Sequence, residues 1–422
     1  MDSKSIAIIG SGISGLSAAY FLSQKYRLKI FEKNNYLGGH SNTVFVDYNN
    51  KKIAVDTGFI VFNHQTYPNL KKFFELLKVD YEKSNMSFGV KIDNGLEYAG
   101  TNLNTVFAQR KNIFNWQFLM MLRDILRFNK KAEAILEKPF DANYSLKNLL
   151  DDLAVKKYFR EFYLLPMSGA IWSCSTEIML NYPAQSFVNF FKNHGLLTVE
   201  NQPQWFTVSG GSIQYVKKIA AKIGADAISL ENEVLQVLTT SENKVLIKTK
   251  NAEELFDYVL FATHGDQVLK ILQNPSNIQK EVFSSFKYQN NLAILHHDSS
   301  LMPKCKKAWA SWVYSRNDKN SDDKIAVTYW MNNLQNIDHN YPLFVTLNPT
   351  QEIAQEKIFA QFNYSHPIFD SAAIKAQEKI SALQGLNQIY FCGAYHKNGF
   401  HEDGISSALN AINKLDVFAP WQ

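Results

Sequence analysis

The sequence predicts an α/β protein: a Rossmann-like dinucleotide-binding domain, discontinuous along the chain, with an inserted α+β lobe for substrate. Three observations predict it. Residues 5–42 read as strand, glycine loop, helix, strand, acid and second glycine turn. Apolar strands that end in small-residue turns recur at Asp257–Gly265 and at Ile389–Gly393. The stretches between these points are largely helical or irregularly stranded and do not repeat the first unit. The spacing therefore places residues 1–60, 205–273 and 384–422 in the dinucleotide domain, and 61–204 and 274–383 in the lobe.

Ser5–Ile9 is an apolar strand. Gly10 then turns the chain sharply, Gly12 keeps side-chain bulk away from a pyrophosphate, and Gly15 lets the helix pack on the sheet. That helix is expected at Leu16–Gln24. The backbone N–H groups of Ile13 and Ser14, with the helix dipole, face the phosphates. Leu28–Phe31 is the second strand. It ends at Glu32, whose carboxylate can accept ribose hydroxyls, with Lys33 beside it. Six residues past the acid, Gly38-Gly39-His40-Ser41 forms a second glycine turn. A nicotinamide domain has no need of that pair. A flavin domain needs the chain to pass close to the ribityl phosphate, so FAD is the expected cofactor.

Thr43–Tyr48 and Lys52–Asp56 form a hairpin about Asn49-Asn50, closed by Asp56-Thr57-Gly58. Leu70–Leu77 is a short helix after Pro68. Phe88–Ile92 and Leu96–Tyr98 flank an Asp93-Asn94-Gly95 turn. Asn112–Leu136 is the longest helical stretch, aromatic on one side and basic on the other. Ser145–Asp152, Lys156–Leu164 and Pro183–His194 follow as helices. Ser209–Ser212 opens a helix to Ile223. Short strands follow at Ile228–Leu230, Glu233–Thr239 and Val245–Thr249, and Asp257–Phe261 leads to Ala262. Strands are expected at Leu292–His296, Lys324–Trp330 and Leu343–Leu347. A last strand, Ile389–Cys392, leads through Gly393 and Asp403-Gly404 to a helix at Ile405–Leu415.

Composition sets bounds. The chain has 422 residues with 46% apolar and 20% charged, enough for a sizeable core. Net charge is +5, with lysine and arginine scattered rather than clustered, which argues against nucleic acid as partner. The three cysteines are far apart, with neither CxxC nor zinc spacing, so no metal site is expected. His296-His297-Asp298 does not change this, because adjacent residues on a strand face opposite ways. The absence of an apolar leader or membrane-length stretch points to a cytoplasmic location, with contact at the inner membrane open to the basic, aromatic helix around Trp116–Lys131. The 30 Phe, 20 Tyr and 7 Trp suit an apolar pocket or a lipid-facing surface.

Gly10, Gly12, Gly15, Glu32, Gly38 and Gly39, the Ala262–Gly265 turn and the Tyr390–Gly393 strand end resemble the FAD-dependent amine oxidase and phytoene desaturase superfamily. Further stretches are similar to one branch of it: bacterial FAD/NAD-binding oxidoreductases whose genes neighbour cyclopropane-fatty-acid-synthase-like methyltransferases. They are Gly39–Thr43, Asp56–Val61, Thr66–Leu70, Leu295–Asp298, Trp309–Trp312, Thr346–Pro349 and Gly399–Gly404, and they span most of the chain. The resemblance implies hydride transfer between flavin N5 and an apolar substrate, an unsaturated or modified fatty acyl chain. It also implies a fatty-acyl methyltransferase as a partner. An amine oxidase and a flavin-bound accessory subunit of a lipid methyltransferase are the alternatives. Two departures stand out. Gly393 is followed by Ala394 and Tyr395 where the superfamily has an acid, and no amine-oxidase aromatic cage or flavin-facing lysine is recognisable.

The expected cofactor set is Gly10, Gly12, Ile13, Ser14, Gly15, Glu32, Lys33, Gly38, Gly39, His40, Ser41, Val234, Ala262, Gly393, Asp403, Gly404 and Ile405. Asp403 also suits the cap of the last helix. His401, Glu402 and Tyr395 are the candidate catalytic residues, the first two as a pair able to move a proton and the third by its hydroxyl.

Overall fold

The computed structural model describes residues 3–92, 95–172, 174–198, 202–316 and 326–422. Its centre is a parallel sheet of five strands: β1 (Ser5–Ile9), β2 (Arg27–Phe31), β3 (Ile228–Ser229), β4 (Tyr258–Phe261) and β5 (Ile389–Phe391). They lie in the order β3-β2-β1-β4-β5, every neighbouring pair parallel. Beginning, middle and end of the chain thus build one sheet. Both faces are covered, as a parallel sheet requires. Along β1, Ile6 and Ile8 enter one core while Ala7 and Ile9 enter the other. Leu260 of β4 and Tyr390 of β5 join the first core; Val259, Phe261, Ile389 and Phe391 join the second.

The first face is covered by helices α1 (Ile13–Leu22), α2 (Pro68–Leu77), α3 (Ile213–Ile223) and α4 (His401–Asn413). Helix α1 begins at Ile13, three residues before the sequence reading, because Gly12 already serves as its N-cap. Leu70, Phe73, Phe74 and Leu77 of α2 pack in this core, so the chain past residue 60 still belongs to the layer beside the sheet. The second face carries a three-stranded antiparallel sheet (Val234–Thr239, Val245–Thr249, Glu253–Phe256) and the helices Gly265–Ile271, Asn277–Ser284 and Ser371–Lys379.

The lobe is built on a seven-stranded sheet. Its spatial order is Ile358–Ile368, Lys287–His296, Phe344–Leu347, Ala326–Trp330, Trp312–Arg316, Phe88–Ile92, Leu96–Ala99. All pairs are antiparallel except Trp312–Arg316 with Phe88–Ile92. The helices Trp116–Ala132, Leu146–Asp152, Leu165–Trp172 and Ala184–Asn193 share its core. The expected long helix is shorter than Asn112–Leu136: Asn115 accepts from the N–H groups of Gln117 and Phe118, and so caps a helix that starts at Trp116. The hairpin Thr43–Tyr48 with Lys51–Asp56 turns at Asn49 and Asn50, both at positive φ (50° and 62°), as a two-residue turn of this type requires. Residues 93 and 94 of the second expected turn lie outside the described residues, as do residues 324 and 325 of the expected Lys324–Trp330 strand.

Candidate cofactor and active site

Two glycine loops lie back to back at the carboxyl ends of β1 and β2. The Gly38 N–H donates to the Ser11 carbonyl at 3.0 Å, and Gly12 bridges Gly38 as a parallel pair. A Cβ on Gly39 would stand 3.2 Å from the Gly12 Cα; one on Gly15 would stand 2.0 Å from the Gly10 carbonyl oxygen. Gly12 is different. A Cβ there would meet nothing within 4 Å. The glycine loop therefore opens at this one residue onto free space, which is the fit a pyrophosphate needs. Ala262 backs the loop from behind, its carbonyl oxygen 2.8 Å from where a Gly10 Cβ would lie.

The start of α4 meets the start of α1. A Cβ on Gly404 would fall 2.7 Å from Ile13 Cγ2 and 2.9 Å from Ser14 Oγ. Two helix N-termini, each with unpaired N–H groups and the positive end of its dipole, so converge beside the loop. The Gly393 N–H donates to Ser407 Oγ at 2.8 Å and ties the end of β5 to the same helix; Ile405 is fully buried beneath it. At the end of β2, the buried Glu32 accepts from the Ser11 N–H (3.0 Å), Ser11 Oγ (2.6 Å) and the Asn34 N–H (2.9 Å). A carboxylate has about four acceptor directions, which leaves room for a ribose hydroxyl. The Asn232 N–H donates to the Glu32 carbonyl at 2.9 Å, which brings the strand beginning at Val234 to this end. The Val234 side chain itself is core. Lys33 is exposed close by.

Beyond the second glycine loop the side chains are rings. Loop 38–42 is pressed onto 57–59, with the Phe59 N–H donating to the His40 carbonyl at 2.7 Å. The His40 ring stacks on Tyr364 at 4.9 Å, with His366 at 5.4 Å and His264 at 6.0 Å. The Tyr364 hydroxyl is fixed by Thr57 Oγ1 (2.7 Å) and Asn42 Nδ2 (3.0 Å). His401 stacks on Phe59 at 3.7 Å, and its Nε2 lies 2.8 Å from Ser41 Oγ and 3.5 Å from the Tyr215 hydroxyl. Ser41 and Tyr215 are themselves in direct contact. Burial holds these imidazoles neutral: His264 and His366 are pushed down to about 4 and His401 to about 3. His40 is held well below its usual value, first by burial, then by the charges that His366, His264 and His401 would carry. His40 Nε2 is buried without a hydrogen-bond partner among the described residues.

Of the expected catalytic three, only His401 stands in this group. Glu402 does not face it. Its Oε1 accepts from the Asn69 N–H (3.1 Å) and Asn69 Nδ2 (2.8 Å), and its Oε2 from the Leu70 N–H (3.0 Å). The carboxylate caps the N-terminus of α2 and locks it to α4. A Glu402→Ala variant is therefore expected to lose about 1–3 kcal/mol of stability in urea unfolding, with kcat unchanged once folded. Tyr395 is likewise a packing residue: it is buried against Phe286 (4.8 Å) and Phe283 (6.4 Å) in the core on the opposite face of the sheet from α1.

Asp403 accepts from the Phe400 (3.0 Å) and Asn398 (3.2 Å) N–H groups, so it caps α4, and burial raises its carboxyl to about 6. Asp56 is a clasp. It accepts from Thr43 Oγ1 (2.5 Å), Ser212 N–H (3.0 Å), Ser212 Oγ (2.7 Å) and Gln335 Nε2 (2.9 Å), which joins hairpin, α3 and lobe. His296 has both ring nitrogens engaged, with Thr346 Oγ1 (2.8 Å) and the Asp298 N–H (3.1 Å). Among the described residues no group of three or more metal-ligating side chains could hold a metal ion.

Sequence reasoning missed Tyr364, His366, Tyr215 and His264 as parts of the site. The first two sit on the strand Ile358–Ile368, which went unread although its residues alternate: Phe362, Tyr364 and His366 against Gln361, Asn363 and Ser365.

Sheet order, interrupted connectivity and the paired glycine loops define a Rossmann-like dinucleotide-binding domain. Residues 8–77 match the NAD(P)-binding Rossmann-like domain family. Solved structures share the fold from end to end. A CLA-producing fatty acid isomerase from P. acnes is 14% identical with TM-score 0.69 over 99% of both chains. Cyclohexylamine oxidase from Brevibacterium oxydans IH-35A is 14% identical with TM-score 0.66, covering 98% of this chain and 100% of its own. Putrescine oxidase bound to putrescine is 14% identical with TM-score 0.64 over 98% of both. No curated protein matches the sequence.

Proposed function

We propose that this chain is an FAD-dependent oxidoreductase acting on a neutral, apolar substrate, an unsaturated or modified fatty acyl chain. The observation that carries the reading is the open space at Gly12, walled by the second glycine loop and faced by the starts of α1 and α4. Those elements hold a pyrophosphate, and Glu32 holds the ribose. FAD, once bound, supplies two-electron chemistry at its ring. The protein's part is to orient and to exclude water with Phe59, His40, Tyr364 and His401. The contacts of His401 Nε2 with Ser41 Oγ and the Tyr215 hydroxyl fix the ring as a neutral hydrogen-bonding group. The unpartnered His40 Nε2 suits a polar atom of a ligand.

Charge separates acyl chain from amine. Glu402, Asp403 and Asp56 are all committed to backbone caps and clasps. The rings nearby are neutral imidazoles. These three carboxylates are not free to hold an ammonium, so a neutral chain suits the site better. Of the proteins that share the fold, the fatty acid isomerase is the relevant parallel. The test is an anaerobic screen of FAD-loaded protein against acyl phospholipids, free unsaturated fatty acids, putrescine, cyclohexylamine and NAD(P)H. Flavin absorbance and lipid products are both followed. Bleaching or conversion with the acyl substrates is expected; reaction with the amines alone overturns the reading.

A further inference from the structure

We propose that the surface formed by residues 103–116 with residues 304–307 docks the protein on an anionic lipid bilayer. Its apolar part is exposed to an unusual degree: Phe114 is 90% exposed, Leu103 75% and Trp116 72%, with Ile113 beside them. These four side chains do not come from a failed core. Asn112 and Phe118, on the inward side of the same segments, are buried at 2% and 0%. The segment folds on itself. Arg110 donates to the Phe107 carbonyl at 2.8 Å and binds Asn104, and Asn115 caps the helix that follows. The four side chains are therefore held outward by ordered backbone.

The exposed charge along the chain that carries them is basic. From residue 98 to residue 132 the chain carries Arg110, Lys111, Arg123, Arg127, Lys130 and Lys131 against one acid, Asp124. Asp124 is buried and accepts from the Lys156 N–H at 3.1 Å. The lysine-bearing turn Lys306–Ala308 packs on the short helix Leu103–Val106, and Glu97 fixes it from beneath by accepting from the Lys304 and Cys305 N–H groups, both at 2.8 Å. Lys304, Lys306 and Lys307 so add three exposed cations to the same rim. Among the described residues Arg110, Lys111, Lys306 and Lys307 have no acidic partner. Exposed tryptophan, phenylalanine and leucine beside lysine and arginine match the interfacial zone of a bilayer with acidic headgroups. No helix among the described residues is long and apolar enough to cross a membrane, so contact is at the surface. The inference does not rest on the acyl-chain reading, although it would bring the protein to such substrates.

The experiment is vesicle flotation of the full chain with phosphatidylglycerol or phosphatidylcholine vesicles, at low and high salt. Wild type is expected to float with phosphatidylglycerol, to do so weakly with phosphatidylcholine, and to be released by salt. Phe114→Ser/Trp116→Ser and, separately, Arg110→Glu/Lys111→Glu are each expected to cut the bound fraction at least tenfold. All four positions are exposed or loop-borne, and unchanged circular dichroism and Tm confirm the fold. Equal flotation of wild type and both variants overturns the proposal. So does a dimer or protein complex that dissolves in the Phe114→Ser/Trp116→Ser variant while no vesicle binding is seen. Flotation needs no substrate turnover, so its failure is distinct from failure of the flavin screen.

Discussion

Gly12→Glu is expected to yield a folded, colourless protein. The backbone at Gly12 is extended (φ −67°, ψ −178°), a conformation open to any residue, and a Cβ there meets nothing within 4 Å. The new carboxylate would sit at the start of α1, where the helix dipole favours negative charge, so stability should hold within about 1 kcal/mol. The same carboxylate takes the place and the charge of a phosphate. Two like charges about 4 Å apart at an effective dielectric near 20 repel by about 4 kcal/mol, which predicts a loss of flavin affinity of about 10³-fold or more. Gly15→Ala is the control. Its Cβ would lie 2.0 Å from the Gly10 carbonyl oxygen, a backbone clash, so that variant should lose stability in either cofactor state. Thermal unfolding and flavin titration of the two proteins together separate cradle from scaffold. A Gly12→Glu protein that purifies yellow at wild-type stoichiometry would show that the pyrophosphate lies elsewhere.

The contrast between these glycines also shows what was legible in the sequence. The first βαβ unit was readable because its constraints are local: the turn, the close packing and the acid all fall within residues 5–42. Gly404 misled for the opposite reason. It reads as a break before a helix at Ile405, yet the helix runs from His401, with Gly404 inside it because a side chain would strike Ile13 and Ser14. The strand Ile358–Ile368 was hidden by Pro367 and by polar residues on one face, and Tyr364 and His366 went with it. Glu402 looked like a proton-moving partner of His401. Its true partners, Asn69 and Leu70, are more than 330 residues away in sequence, and no local pattern points to them. The clasp at Asp56 is similar: the hairpin was foreseen, but Ser212 and Gln335 are separated from it by 156 and 279 residues. Backbone-encoded features survive in one dimension, whereas side-chain commitments made by tertiary packing do not.

Acid should unfold this protein early, and the histidines are the reason. Burial lowers His194, His264, His296 and His366 to about 4 and His396 and His401 to about 3, with His40 held well below its usual value. Unfolded, each would titrate near 6.5. Between those values the unfolded chain binds protons that the native state refuses, so stability is full above about pH 6.5 and is lost as pH falls. Asp56 and Asp403, both raised to about 6, and Glu402, raised by burial, act the other way, since the folded state takes up their protons first. Seven imidazoles outweigh three carboxylates. Each unbalanced proton is worth about 1.4 kcal/mol per pH unit. The sum removes several kcal/mol per pH unit, against a total stability of about 5–15 kcal/mol. Unfolding is therefore expected between about pH 4 and 5, with Tm already falling from pH 6.5 to 5.5. The measurement is best made on Gly12→Glu protein, where loss of bound flavin cannot contribute. A Tm that stays level from pH 7 to pH 5 would mean that the imidazoles around His40 and His401 take up protons in the folded state. The neutral character on which the choice of an apolar substrate rests would then be lost as well.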